Sequence, residues 1–263
     1  NNWSNVGYPS IADTDRRFPA FIGELLQTFA LVTVVLGVAT TKSSKGKSYF
    51  GLAIGFVVLS GAITLGGVTG GCFNPAVSML TLLHGDYSDM WVYISAGSIG
   101  GALAGLFFHI TNPSEFKPDN VIITTLGLST PTSSDNDTPT DSSSSSSNSS
   151  SSIAMTKRVS SFTMEFIGTF FLVWIVSLSV NATIPSYGGI AIGAILMSMV
   201  FAGGHVSGAH YNPCVTLGVY IRGMNEVPCM IESMDACIYM VVQFIAALTA
   251  GSLAAFVNGG TNN

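Results

Sequence analysis

The sequence predicts an all-α integral membrane protein with six membrane-spanning helices and two shorter half-helices, arranged as an inverted repeat. Three observations support this prediction: a very low charge content, apolar segments of spanning length, and an internal repeat. Of 263 residues, 48% are hydrophobic and 9% are charged, whereas roughly a quarter are charged in soluble globular domains. Fourteen acidic and nine basic side chains cannot cover a soluble domain of this size, so much of the surface must face lipid.

Six almost uncharged segments reach the roughly 20 residues that a helix needs to cross a bilayer. They are residues 18–41, 49–69, 90–111, 162–182, 187–204 and 234–257. Two further apolar segments, 74–83 and 212–221, have only about ten residues and are too short to cross. We therefore expect them to be half-helices that enter the membrane without spanning it.

The predicted domain organisation follows from these segments. Residues 1–17 form a polar N-terminal arm without the order of regions typical of a signal peptide. The first repeat, 18–112, and the second repeat, 161–257, each contain three spans and one half-helix. Residues 113–160, rich in Ser, Thr, Pro and Asp, are predicted to be a disordered connecting loop. Residues 258–263 are a C-terminal tail.

The internal repeat is visible in two places. Residues 21–32 match residues 162–173 in Phe, Glu, Thr, Phe, Leu and Val at the same spacing, and segment 68–75 corresponds to segment 206–213. Three spans separate corresponding points, so the second copy must enter the membrane from the opposite side. Inverted repeats of this kind are typical of channels and transporters with a site near the midplane.

Each half-helix begins with an Asn-Pro pair, at Asn74-Pro75 and Asn212-Pro213. Asn caps a helix well, and Pro at the first helical position has no N–H to leave unpaired, which matters in hydrocarbon. A single Asn-Pro pair usually marks an ordinary turn, but two at corresponding positions of an inverted repeat favour a shared site. The positive helix N-termini would meet near the membrane centre, where two Asn amides can donate to an oxygen of a neutral solute.

Other polar residues have less specific interpretations. Glu24 and Glu165 lie inside predicted spans, so we expect them to face the protein interior in a bracing role rather than a proton relay. His205 and His210 could suggest a metal pair, but the intervening Ser-Gly-Ala favours irregular backbone and hydrogen bonding in a loop or pore. A row of small residues in the third span indicates close helix packing: Gly97, Gly101 and Gly105.

The cysteines and the basic residues exclude further classes of site. The cysteines have neither disulfide nor zinc spacing and are interpreted as reduced thiols; they are Cys72, Cys214, Cys229 and Cys237. The nine Lys and Arg residues form no long basic run, so nucleic acid is not an expected partner. No nucleophile, base and orienting group occur together near the half-helices, so we do not expect an enzyme.

The six spans, the inverted repeat and the paired motifs resemble the aquaporin, or major intrinsic protein, family. The resemblance extends over residues 18–257 and is carried by Phe73-Asn74-Pro75-Ala76-Val77 and by segment 204–213. It implies a six-helix pore with half-helices packed end to end at the two Asn residues, usually as a homotetramer with one pore per subunit. The implied function is passive conduction of water and small neutral solutes such as glycerol, urea, hydrogen peroxide or ammonia, with ions and protons excluded and without cofactor or metal.

The resemblance also implies roles for individual residues. The motifs Asn74-Pro75-Ala76 and Asn212-Pro213-Cys214 would lie at the pore centre, and Glu24 and Glu165 would accept hydrogen bonds from the re-entrant loops. The pore-lining loop positions are Gly70, Gly71, Cys72, Gly208 and His210. We expect mercurials to inhibit the protein through Cys72 or Cys214, whose motif positions place them beside the pore.

The chain departs from the family at the narrowest part of the pore. Counted from the two Asn residues, the selectivity-filter positions are Ile54, Val200, Ala209 and Val215. Most relatives carry Arg where this chain has Val215, so the predicted filter is entirely apolar. Relatives often carry His at the positions of Gly67 and Cys72, and Thr216 replaces the Asp typical of glycerol-conducting members. Neither standard subclass fits.

The orientation and the function each have a rival interpretation. The family orientation places the termini in the cytoplasm but leaves only Arg16 and Arg17 on that side, contrary to the positive-inside rule. We retain it because this pair flanks the first span, and we expect a plasma or vacuolar membrane. The competing functions are a secondary transporter, with Glu24 and Glu165 as its candidate ion site, and a junctional membrane protein with a closed pore.

Overall fold

The computed structural model describes residues 6–11, 13–116, 146–179, 185–224 and 230–259. Eight α-helices lie within this part of the chain: α1 Arg17–Ala39, α2 Phe50–Thr69, α3 Pro75–His84, α4 Met90–Thr111, α5 Ser146–Ser179, α6 Pro185–Ser207, α7 Pro213–Gly223 and α8 Ser233–Gly259. Short 3₁₀ helices occupy Thr14–Arg16, Lys42–Ser44 and Pro113–Phe116. The all-helical fold class predicted from the sequence is confirmed in the described residues.

Six of the helices are long and apolar enough to cross a membrane, namely α1, α2, α4, α5, α6 and α8. They agree with the six predicted spans to within a few residues, except at the start of α5. Large apolar side chains point outward from them, among them Ile110 and Phe256, each 78% exposed. Such a surface is stable against lipid rather than water. The protein is therefore a multi-pass integral membrane protein.

The connecting loop is shorter than the sequence suggested. Residues 146–160, predicted to belong to a disordered loop, form the first turns of α5. This segment contains no Gly or Pro, so the helix of the span can propagate into it at the gain of one hydrogen bond per added residue. Arg158 within it pairs with Glu232 and Asp235 beside the start of α8, at 2.8 and 2.9 Å. Residues Pro113–Phe116 of the predicted loop form a 3₁₀ helix, and residues 117–145 lie outside the described residues.

The packing of the helices follows the inverted repeat. Helix α1 packs on α4 as α5 packs on α8, and α2 packs on α6 across the two repeats. Each half-helix lies against the last span of the other repeat, α3 on α8 and α7 on α4. Glycines permit the second contact, because a Cβ atom at Gly101 would lie 2.5 Å from the Cys214 carbonyl oxygen and one at Gly105 would lie 2.9 Å from that of Gly218. The small-residue row predicted in the third span is thus a helix-packing surface.

The N-terminal arm is packed against the protein. Residues 6–11 cross the end of the molecule at which α2 and α5 finish, and the two apolar residues at the ends of this segment are buried. The Gly7 N–H donates to the Ser177 carbonyl of α5 at 2.8 Å. The Tyr8 ring stacks on His84 at the end of α3, with 4.0 Å between ring centroids. The arm therefore joins elements of both repeats at one end of the bundle.

Asp89 holds the end of this arm, and its replacement is expected to release it. Its carboxylate accepts the Ile11 N–H at 3.3 Å and the Arg17 Nε–H at 2.7 Å. Asp89→Ala removes both acceptors, so we expect amide hydrogen exchange in residues 6–11 to rise about tenfold, since a hydrogen bond to a charged group contributes about 1.5 kcal/mol or more. Asp86→Ala is the matched control, because that carboxylate accepts from Ser88 in the same turn. Equal exchange in the two variants would contradict the prediction.

Candidate functional site

The two half-helices begin with capped N-termini of the same geometry. Asn74 has an extended backbone, and its Oδ1 accepts the Ala76 N–H at 2.9 Å. Asn212 is also extended, and its Oδ1 accepts the Cys214 N–H at 2.9 Å. With Pro at the first position of each helix, two of the N–H groups that a helix start would leave unpaired are removed or satisfied.

The Asn amides also connect the two repeats. The Asn74 Nδ2 donates to the Tyr211 carbonyl at 3.0 Å, and the Asn212 Nδ2 donates to the Phe73 carbonyl at 2.9 Å. Each acceptor carbonyl belongs to the residue that precedes the opposite Asn. The two hydrogen bonds therefore join the two repeats at the centre of the molecule. An amide NH₂ has two N–H donors, and these bonds use one of each pair. One N–H of each Asn is left for a solute in the cavity that both side chains line.

Glu24 supports the loop before the first half-helix. Its fully buried carboxylate accepts hydrogen bonds from the Thr69 hydroxyl at 2.6 Å, the Cys72 N–H at 3.0 Å and the Phe73 N–H at 2.7 Å. The loop has backbone N–H groups inside the membrane without helical partners, and each would cost several kcal/mol unpaired. These are the contacts expected of a bracing carboxylate.

Glu165 supports the second loop in the same way. It accepts from the Ser207 hydroxyl at 2.6 Å, the His210 N–H at 2.9 Å and the Tyr211 N–H at 2.7 Å. A fourth donor, the Gln243 side-chain amide of α8, lies 2.8 Å away. Gln243 was not among the residues predicted for the site, although a lone amide side chain within an apolar span is a signal of internal hydrogen bonding.

A narrow central cavity lies between the two loops. Asn74, Cys72, Asn212 and His210 contribute its polar groups, and most of the remaining wall is aliphatic, from α1, α2, α5 and α6. The room open to the centre of a water molecule is about 30 Å³, which is enough for one or two water molecules. The cavity therefore brings the two Asn-Pro motifs onto one narrow passage.

Wider openings flank the central cavity on both sides. The lysine vestibule, of about 830 Å³, is lined by Lys42, Lys45 and Lys47 and shares Ile54 with the central cavity. The glycine vestibule, of about 320 Å³, is bordered by the arm and shares Gly71, Val176 and Ile192 with it. Besides Gly71, the glycines that line the second vestibule are Gly66, Gly67, Gly70, Gly188 and Gly189. The three spaces follow one another and form a candidate pore through the protein.

The structure places the four predicted filter residues in one buried apolar cluster. Ile54, Ala209 and Val215 line the central cavity, and Ile54 and Val200 line the lysine vestibule. The four side chains thus lie between these two spaces and offer no hydrogen-bond donor or acceptor of their own. Their role as a filter remains a prediction.

The predicted loop positions have different places along this passage. Gly71, Cys72 and His210 line the central cavity, Gly70 lines the glycine vestibule, and Gly208 lines the lysine vestibule. His205 is exposed at the lysine vestibule, and the buried His210 has its Nδ1 3.1 Å from the Thr216 hydroxyl. In the part of the chain that the structure describes, no group of three His, Cys, Asp or Glu side chains forms a metal site.

Cys214 does not lie where the sequence analysis expected it. Its Sγ faces α4, where a Cβ atom at Gly97 would lie 2.9 Å from the sulfur. Because Gly97 and Gly101 leave room on that side, the thiol packs behind the half-helix, while Cys72 faces the cavity. Cys237 is a free, exposed cysteine on α8, and Cys229 lies outside the described residues.

Cys72 is therefore the expected target of mercurial inhibition. A mercury atom bound to its sulfur would fill a passage of about 30 Å³, so we expect mercurials to close the passage almost completely. Cys72→Ser should abolish mercurial sensitivity in a stopped-flow assay, because a hydroxyl does not bind mercury as a thiolate does. Cys214→Ser and Cys237→Ser are the controls and should retain it. Full sensitivity of the Cys72→Ser protein would refute this assignment.

Six spans, two half-helices meeting at the centre and a passage between two vestibules define a membrane channel architecture built from inverted repeats. The family profile described as "Major intrinsic protein" matches residues 6–108 and 150–263. The chain belongs to the major intrinsic protein family, whose members are channels rather than enzymes. The resemblance proposed from the sequence is thus confirmed.

Individual relatives support the same family. Nodulin-26 from Glycine max is 40% identical over 91 residues, covering 34% of this chain and 33% of that protein. Aquaporin NIP1-1 from Zea mays is 35% identical over 99 residues, covering 37% and 34%. These matches span about a third of the length of each relative. The X-ray structure of the aquaglyceroporin from Plasmodium falciparum shares the fold, with a TM-score of 0.63, 19% identity and coverage of 92% of this chain and 96% of that one.

Proposed function

We propose that the protein is a passive channel for water and other small neutral solutes that excludes ions and protons. The observation that carries this proposal is the position of Asn74 and Asn212, which come from opposed half-helices and line one cavity. Each amide has one N–H beyond the bond that joins the repeats, so a solute oxygen can accept two hydrogen bonds at the centre. Two helix N-termini meet there, and their positive ends oppose a cation.

The apolar filter favours solutes larger than water. Val215 occupies the position where most relatives carry Arg, so a fixed charge and a five-donor group are absent at that point. The shorter Val side chain leaves a wider passage for an uncharged molecule. We propose that at least one of hydrogen peroxide, urea, ammonia or glycerol passes together with water.

A secondary transporter is a weaker alternative. Its coupling ion would need a carboxylate in the membrane, and Glu24 and Glu165 are the candidates. Both are fully buried and already accept three or four hydrogen bonds from the loops. Their oxygens support the loops and are not directed at a permeating ion. A structural membrane protein with a closed pore would show no flux in the assay below.

Proteoliposomes measured by stopped-flow light scattering test the proposal. We expect the wild-type protein to conduct water and at least one of the four solutes down its gradient. Val215→Arg should reduce solute flux more than water flux, because a long charged side chain narrows the filter. Ser43→Arg, which adds the same charge at an exposed position of the α1–α2 connection, is the matched control. A folded protein without any flux, or with flux that requires an ion gradient, would overturn the assignment.

We further propose the assembly and orientation typical of the family, a homotetramer with one pore per subunit and cytoplasmic termini, in a plasma or vacuolar membrane. The apolar outer faces of the spans can pack against other subunits as well as lipid. Light scattering on the detergent-solubilised protein measures the number of subunits. Protease access to the arm in sealed vesicles measures the orientation of the termini.

A further inference from the structure

We propose that His210 is the polar selectivity residue of this pore and supplies the hydrogen-bonding group that the apolar filter lacks. This inference rests on the proposed channel function and deepens it. The solutes concerned are small neutral molecules with an O–H or N–H group that can donate a hydrogen bond, such as water, urea and hydrogen peroxide.

His210 lies at the junction of two spaces. Its side chain lines the central cavity and also a lateral cavity of about 250 Å³ beside α1, α7 and α8. Val35 lines both cavities as well. The lateral cavity in turn shares Thr40, Gly208 and Met230 with the lysine vestibule. A solute that moves from that vestibule through the lateral cavity to the paired Asn residues therefore passes the imidazole.

A chain of buried hydrogen bonds fixes the ring. The Nδ1 of His210 lies 3.1 Å from the Thr216 hydroxyl, and the Gln243 amide donates to that hydroxyl at 3.2 Å. The same amide nitrogen donates to Glu165 at 2.8 Å. Thr216, Gln243 and Glu165 are fully buried, so the chain is shielded from water and held by the carboxylate that also supports the loop. Thr216 and Gln243 are positioning residues in this arrangement.

The directions of these bonds determine what the ring offers to a solute. The Thr216 hydroxyl accepts from Gln243 at 3.2 Å and donates its one proton to the Asn212 carbonyl at 3.3 Å. The remaining lone pair of the hydroxyl accepts from Nδ1 of His210, and a neutral imidazole that donates at Nδ1 has its lone pair on Nε2. Nε2 faces Gly208, where a Cβ atom would lie 3.3 Å away, and Gly208 lines the vestibule side of the passage. The ring therefore presents a hydrogen-bond acceptor toward the entering solute.

This acceptor matters because the neighbouring filter side chains are all apolar. A purely apolar neck imposes the full desolvation cost on a solute and can exclude water altogether. One acceptor nitrogen on a rigid ring replaces part of the lost hydration without placing a fixed charge in the passage. The apolar side chains around the neck then admit neutral molecules that an arginine side chain would hinder.

Substitutions of His210 in reconstituted protein test the role. His210→Leu keeps a side chain of similar bulk without an acceptor nitrogen, and we expect water and urea flux to fall about tenfold, the effect of one lost hydrogen bond. His210→Gln retains an amide carbonyl acceptor of similar reach and should restore most of the flux. Thr249→Val, on the exposed face of α8 and outside the lining of the passage, is the control and should conduct like wild type.

A second variant keeps the test decisive if His210→Leu fails to fold. Thr216→Val leaves the imidazole in place but removes its anchor, so we expect a loss of flux, with a raised activation energy for water permeation, in a normally folded protein. Wild-type flux in both His210→Leu and Thr216→Val would overturn this inference while the channel function stands. Absence of flux in the folded wild-type protein would instead refute the proposed function itself.

Discussion

Glu165→Ala is expected to prevent the protein from folding into a conducting channel. The carboxylate accepts hydrogen bonds from Ser207, His210, Tyr211 and Gln243 at 2.6 to 2.9 Å. Each buried donor left unpaired costs about 1 to 3 kcal/mol, and four of them together reach the size of a typical folding free energy, about 5 to 15 kcal/mol. Size-exclusion chromatography of the detergent-solubilised protein should show little monodisperse material.

Two variants make this prediction specific. Glu165→Gln has the same shape but turns an NH₂ group toward donors, so we expect partial folding and reduced flux. Thr163→Ala, two residues earlier on the exposed face of α5, should fold and conduct normally. The prediction fails if Glu165→Ala yields as much folded, conducting protein as Thr163→Ala does.

Much of the fold could be predicted from the sequence because the membrane imposes simple rules. The length of apolar segments identifies spans, and an apolar segment of about ten residues cannot be one. The Asn-Pro pairs identified the half-helix starts because a buried helix start has few chemical solutions. Carboxylates within spans had to face the interior, and Glu24 and Glu165 do so.

The parts that could not be predicted depend on contacts between distant residues. Nothing in the spacing of Cys214 indicates that its sulfur faces Gly97 rather than the cavity, since that depends on how α7 packs on α4. The arm was interpreted as polar because of its charged residues Asp13, Asp15, Arg16 and Arg17, yet Val6 and Ile11 within it are buried. His210 could be predicted at the pore, but its anchoring through Gln243 joins residues 33 positions apart in sequence.

The backbone of the re-entrant loops was also beyond sequence reasoning. Phe73, Ala209 and Tyr211 have φ angles of 48°, 53° and 50°, a left-handed region that side chains disfavour by about 1 kcal/mol or more per residue. Two of them correspond in the inverted repeat, directly before Asn74 and Asn212. Carboxylate bonds to their N–H groups hold this conformation. This strained backbone directs the carbonyl groups of Phe73 and Tyr211 toward the side-chain amides of Asn212 and Asn74.

Gly168→Ala is expected to disrupt the pore centre from a distance through the ring of Tyr211. The fully buried ring lies between α5 and α6, and a Cβ atom at either Gly168 or Gly203 would overlap it. The Tyr211 carbonyl accepts the crossing hydrogen bond from Asn74 at 3.0 Å, so a displaced ring moves an acceptor of the central site. Overpacking of this kind costs about 1 to 3 kcal/mol. We expect a lower unfolding temperature and at least about a tenfold loss of water flux, because the displaced carbonyl releases the Asn amide.

The control for this variant is Gly37→Ala, on α1. The added methyl group would meet no atom within 4 Å, and Ala favours the helical conformation over Gly. It should leave flux and unfolding temperature unchanged or slightly raise the latter. The double variant Gly168→Ala with Tyr211→Leu separates a steric effect from a general loss of helix packing, because the smaller side chain removes the overlap. If the clash is the cause, the double variant regains part of the unfolding temperature lost in Gly168→Ala. If Gly168→Ala conducts as well as Gly37→Ala, the ring of Tyr211 does not position the pore centre.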